Sequence, residues 1–192
     1  MKKVYYVFLV LFAVCVMSTA VFAAEHTMMI STDKNVYEVG EKFNVSVVVK
    51  LATDVVLSGI CSAIGFDTYG LSVDKSPTTL VPLLSNLGGK LQIALPDIAP
   101  VSNVVGGSVG AIFPVMINAG TYVTLQNVQF EAIEPGTYEL TLPEDEDNPG
   151  SSKASALLNR TNEGLLILIP STKIPRTITI KPPSVEPQTD KK

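Results

Sequence analysis

An all-β sandwich is the fold class this sequence predicts. Short apolar runs rich in Val, Ile and Thr recur between Gly, Pro, Asn and Asp turns. Several of them alternate between apolar and polar residues, and no long stretch holds a helical period. Together these features describe two antiparallel sheets packed face to face.

The chain opens with a different pattern. Lys2 and Lys3 precede the apolar run Val4–Met17, and small Ala23 follows, with Val21 two residues before it. This predicts a secretory signal peptide over residues 1–23, cut after Ala23. The run is shorter than the ~20 residues of a spanning helix, and no later segment is long and apolar enough to span. The expected organisation is therefore a leader at 1–23, one domain at 24–181 and a disordered Pro-rich tail at 182–192. The expected location is outside the cell, with periplasm and cell surface included.

Loss of the leader removes two lysines and makes the chain more acidic than its formal charge of −4. Nucleic acid and anionic lipid are thereby excluded as partners. Cys15 leaves with the leader, so Cys61 stands alone and no intramolecular disulfide is available. Its expected role is a small buried or half-buried residue.

Along the domain, "TMMIST" (27–32) predicts a first strand, and "YEVGEK" a turn at Gly40. "KFNVSVVVK" (42–50) alternates, with Phe43, Val45, Val47 and Val49 on its apolar face. From Ile60, residues Ile60, Ser62, Ile64 and Phe66 point one way, and Gly59, Cys61, Ala63 and Gly65 the other. Asp67 follows at the strand end, where its carboxylate is expected to accept turn N–H groups. Beyond it, Leu71 and Val73 return to the core.

"KLQIAL" (90–95) predicts a strand after Gly88-Gly89. "GAIFPVMI" (110–117) is apolar, but Pro114 makes it an edge or bulged strand. In "GTYVTLQNVQFEA" (120–132), Val123 and Leu125 are out of phase with Val128 and Phe130, so a bulge is expected near Gln126–Asn127. "EPGTYELTL" (134–142) is a turn and strand, and Leu142–Ser152 a solvated polar loop. "SALLNR" and "LLILI", joined by "TNEG" (161–164), form a hairpin, and "RTITI" (176–180) adds a last strand. The count is roughly eight to ten strands.

Catalytic machinery is not expected. The single histidine, His26, stands beside the cleavage site on a strand end that should fray, and no pair of carboxylates is selected by spacing. No cofactor and no metal is called for. "EDED" (144–147) carries calcium-type oxygen ligands but lacks the spacing of a binding loop, and reads as a solvated charge run. A sugar platform presents exposed aromatic rings. The chain has no Trp. Phe43, Phe66, Phe130 and Tyr138 are expected in the core, which leaves Tyr37, Tyr69 and Tyr122 as surface candidates.

Four stretches, in this order, carry a family resemblance: "VYEVGEKFNVSVVV" (36–49), "GICSAIGFDTYGLSV" (59–73), "GGKLQIAL" (88–95) and "NAGTYVTLQNVQFEAIEPGTYELTL" (118–142). Their order and spacing resemble the cohesin domain, the secreted jelly-roll module of cellulosome scaffoldins. The likeness runs from about Met28 to Ile169. It implies a jelly-roll sandwich and a non-catalytic role in protein–protein adhesion, with a dockerin-like or other helical partner.

The resemblance also marks a departure. In cohesins that bind type I dockerins, polar Asn and Asp side chains stand on the strand leading into the aromatic-Asp turn. Gly59 and Cys61 take those positions here. The expected partner-binding face is accordingly the flat row Gly59, Cys61, Ala63 and Gly65, with Tyr69 beside it, because small side chains let a helix approach closely. The opposing expectation is that a loop of the same chain, Pro96–Gly110, covers this row. Two other functions remain in play. One is a carbohydrate-binding module with a polysaccharide as ligand. The other is a structural subunit of an envelope or pilus-like assembly, which would expose an unpaired edge strand.

Overall fold

The computed structural model describes residues 25–73, 91–93, 103–145, 147–148, 151 and 153–184. The expected leader, the Gly88-Gly89 turn, residues 96–102 of the Pro96–Gly110 loop and the part of the expected tail beyond Ser184 lie outside them. Of the tail, Ser184 is held by its hydroxyl, which donates to Glu38 at 2.6 Å. Thirteen strands are described: β1 His26–Thr32, β2 Val36–Glu38, β3 Lys42–Lys50, β4 Val55–Gly65, β5 Leu71–Val73, β6 Leu91–Ile93, β7 Val104–Ile117, β8 Tyr122–Ala132, β9 Gly136–Leu140, β10 Ala156–Arg160, β11 Leu166–Ile169, β12 Ser171–Ile174 and β13 Arg176–Lys181.

They form two five-stranded sheets, β12-β1-β3-β8-β5 and β11-β10-β4-β7-β6, and a three-stranded sheet, β2-β13-β9. The two large sheets enclose the core, so the sandwich expected from composition is the observed fold. The strand count exceeds the expected eight to ten for a local reason. The run from Leu166 to Lys181 is broken at Pro170 and Pro175, and each piece joins a different sheet. Proline cannot donate to a ladder, so a strand changes partners there most easily.

Alternation sets the core. Phe43, Val45, Val47 and Val49 of β3 are buried, as their spacing demands, and face Ile60, Ile64 and Leu157 from the opposite sheet. Phe66 meets Phe130 edge to face, with centroids 5.1 Å apart, a favoured aromatic geometry. The phase break in β8 is a bulge at Leu125: Val47 pairs Gln126, whereas Val48 pairs Thr124. It falls one residue earlier than expected and turns both Leu125 and Gln126 inward. The Gln126 side-chain oxygen finds no hydrogen-bond partner among the described residues.

Of the two expectations for Pro114, the irregular, bulged strand is the one observed, not the edge. β7 lies between β4 and β6, and its ladder with β4 breaks between Val115 and Gly110. The exposed Pro114 therefore costs no ladder bond.

Two side-chain assignments are corrected. His26 does not sit on a frayed end: it is 9% exposed, and its Nδ1 accepts the Ala52 N–H at 3.3 Å. Tyr37 is not a surface residue. It is 1% exposed, stacks on Phe43 at 3.9 Å and donates its hydroxyl to Asp33 at 2.6 Å. The short β2 strand pairs parallel with β13, and that long-range contact draws the ring inward.

The Asp67 turn forms as its sequence suggests. Asp67 Oδ1 accepts the Tyr69 N–H at 2.8 Å, and the Asp67 carbonyl accepts the Leu71 N–H at 3.0 Å. Asp67→Ala removes only the first of these bonds and is expected to cost about 1 kcal/mol. An unchanged urea midpoint would show that the carboxylate does not hold the turn.

Candidate partner-binding face

The row Gly59, Cys61, Ala63 and Gly65 lies on one face of β4, opposite to core-facing Ile60, Ser62 and Ile64. Neighbouring strands extend it. Gly59 pairs Leu158 and Cys61 pairs Ala156 on β10, while Cys61, Ala63 and Gly65 pair Ser108, Gly106 and Val104 on β7. Paired residues point the same way, so the outward face of β4 and its neighbours is built mainly of small and aliphatic side chains.

All four residues of the row are buried. Cys61, Ala156 and Leu158 form a small apolar cluster of their own, separate from the main core. Of the loop expected to cover the row, residues 104–110 belong to β7 and lie within the same sheet, and residues 96–102 lie outside the described residues. Exposure returns around the row. Ser108 and Val104 are half-buried, and Met116, opposite Val56, is 66% exposed.

Tyr69 is highly exposed, at 76%, but it stands past the end of β4. Its neighbour Gly70 lies against the Tyr138 ring of the three-stranded sheet. The fold thus groups four of the five expected face residues and sets the fifth in a turn beyond them.

Ser155, which sequence reasoning missed, completes the face. The β4–β10 ladder runs from Leu158 to Ala156 and stops. Ser155 Oγ then accepts the Ala63 N–H at 2.9 Å and donates to the Ala63 carbonyl at 2.7 Å. A side chain takes over where backbone pairing ends. Serine before a strand gives no sequence signal of this, because the partner is 92 residues away.

Burial pushes the Cys61 thiol up to about 11. Tyr37 rises to about 12, chiefly through burial and also through its bond to Asp33. Both groups are neutral when protonated. Folding therefore favours the protonated forms, and the stability they confer is complete below pH 9. It is lost as pH rises through about 11 for Cys61 and about 12 for Tyr37. Urea midpoints should be level in this respect up to pH 9 and fall above it. Cys61→Ala should flatten the first part of the fall, and an unchanged profile would refute the assignment. Native Cys61 should also react slowly with thiol reagents at pH 8.

Among the described residues, no group of three His, Cys, Asp or Glu could hold a metal ion. Glu144 is paired with Lys173 at 2.9 Å, and Asp145 Oδ1 accepts the Asn148 N–H. Of the expected surface tyrosines, Tyr69 and Tyr122 are exposed. Tyr122 begins β8, while the Tyr69 turn leads into β5, which pairs with the far end of that strand. Ten residues of strand, roughly 30 Å, therefore separate them, too far for one sugar platform.

Comparison with solved structures places the fold. A type II cohesin domain from the cellulosome of Acetivibrio cellulolyticus superposes with a TM-score of 0.59 at 18% identity, over 80% of this chain and 95% of that one. A type II cohesin–X–dockerin complex from the same organism gives 0.55 at 18% identity, over 82% and 100%. The cohesin module of a family 33 glycoside hydrolase from Clostridium perfringens gives 0.53 at 10% identity, over 83% and 99%. No protein-family model and no curated protein matches the chain. The chain has the fold of cohesin modules, an all-β jelly-roll sandwich.

Proposed function

We propose that this chain is a secreted, non-catalytic binding module that docks a helical, dockerin-like protein on the outward face of the β11-β10-β4-β7-β6 sheet. The observation that carries the reading is the cohesin fold combined with a row of small residues along the centre of that face. One of the similar structures holds a cohesin together with a dockerin, which supports a protein as the partner class. The leader-like residues 1–23 support export, and a place beside polysaccharide-degrading enzymes goes with the same reading.

Gly59, Cys61, Ala63 and Gly65 form the floor of the face. Because they are buried, the partner's contacts fall on the neighbours that keep exposure: Ser108 opposite Cys61, Val104 opposite Gly65, and Met116. Gly59 and Cys61 offer no polar side-chain contacts, so shape complementarity supplies the affinity and the rim sets the register.

The test is a pull-down from culture supernatant, run beside binding to cellulose and xylan. A captured protein with dockerin-type sequence, lost on Ser108→Arg while the circular dichroism spectrum is unchanged, is the expected outcome. Retention on polysaccharide with no protein partner would sink the reading.

A further inference from the structure

The least protected part of this surface is β11. It is an edge strand of its sheet among the described residues, paired only with β10. Leu165, Leu166, Ile167 and Leu168 are 62%, 45%, 45% and 48% exposed. The stretch Leu165–Ile169 has no charge, proline or glycine, the usual devices that keep an edge from pairing with another chain. Other edges are blunted. β12 carries Lys173 and β9, an edge of the three-stranded sheet, carries Glu139.

The exposed side chains lie on both faces of the strand. Leu168 pairs Leu158 and shares its outward face with Leu166. Ile167 pairs Asn159 and points to the opposite face. An amphipathic strand added here would leave one of these faces uncovered. A strand apolar on both faces would cover both, and β11 itself is such a strand.

We propose that two copies of this chain associate through β11, antiparallel about a two-fold axis near Ile167, joining their five-stranded sheets into one. This register sets Leu166 of one copy opposite Leu168 of the other, and Leu165 opposite Ile169. No charged side chain enters the pairing, so no like-charge contact opposes it. The pairing also supplies partners for the strand's outward N–H and C=O groups.

The strip offers on the order of 300 Å² of apolar surface per copy, against roughly 800 Å² per partner in stable interfaces. The dimer is therefore weak, with dissociation near ~10–100 μM. Added salt should tighten it, because salt screens the repulsion between two acidic copies and breaks no ion pair.

Sedimentation equilibrium of the purified protein from ~5 to 300 μM tests this. The expected result is a monomer–dimer equilibrium, with Ile167→Lys weakening it at least ~10-fold and Ile133→Lys, at an exposed apolar site away from both faces of this sheet, leaving it unchanged. Leu168→Lys serves as the second variant if the first fails to fold. A wild-type monomer throughout the range overturns the proposal. So does a dimer indifferent to both β11 variants, or growth into open-ended oligomers. A monomer whose β11 amides resist hydrogen exchange would mean that another segment of the same chain takes the edge, and would overturn it equally.

Discussion

Replacing Ser155 with alanine is expected to destabilise the domain by about 3 kcal/mol. The Ser155 hydroxyl bonds both the N–H and the carbonyl of Ala63, and both residues are 0% exposed. Alanine leaves a donor and an acceptor buried without partners, and each such group costs about 1–3 kcal/mol. The loss falls on the central strand of the outward face, so partner binding should weaken with it. Urea unfolding reads the effect, with exposed Asn148→Ala as a control near zero. A change below about 1 kcal/mol would mean that water or a neighbouring group replaces the hydroxyl.

The second large effect is expected at Gly70. A Cβ built there would lie 1.9 Å from Tyr138 Cζ and 2.1 Å from Cε1. Gly136 supports the same ring from another side, where a Cβ would lie 2.8 Å from the hydroxyl. Two glycines thus make the seat for Tyr138, whose hydroxyl donates to the Glu134 carbonyl at 3.1 Å. Gly70→Ala should cost about 2–3 kcal/mol, because the ring must leave its seat or the turn must move. In a Tyr138→Ala background the same change should cost little, since the ring it strikes is gone. Equal costs in the two backgrounds would place the strain in the turn backbone.

The two effects differ in how far the sequence announces them. Glycine in "DTYGL" marks a turn, and alternation placed Leu71 and Val73 inward beyond it. That Tyr138 would fill the space left by Gly70 could not be read, because 68 positions separate the two. The same limit explains Tyr37. Its local pattern fits a surface turn, yet pairing of β2 with β13 buries the ring. The β8 bulge was legible to within one residue because the phase of its apolar residues breaks there.

Of the candidate face, the sequence identified the row itself. Strict alternation from Gly59 to Phe66 assigns small residues to one side whatever the strand packs against. It left open whether the row is exposed or covered, and did not reveal that Ser155 closes its ladder or that Tyr69 stands beyond it. Each of these depends on contacts between distant segments.

Taken alone, the amino-acid order determined what acts over a few residues: strand periodicity, turns at Gly40, Asp67 and Gly164, and the all-β class. Steric and hydrogen-bonding preferences of that range are nearly independent of the rest of the chain. Only the tertiary structure decided which strands share a sheet, which small face is buried, and that among the described residues β11 stands at an edge with its apolar side chains exposed. Sheet pairing joins residues well over a hundred positions apart, as His26 and Ser171 show, and no local pattern encodes which partner will arrive.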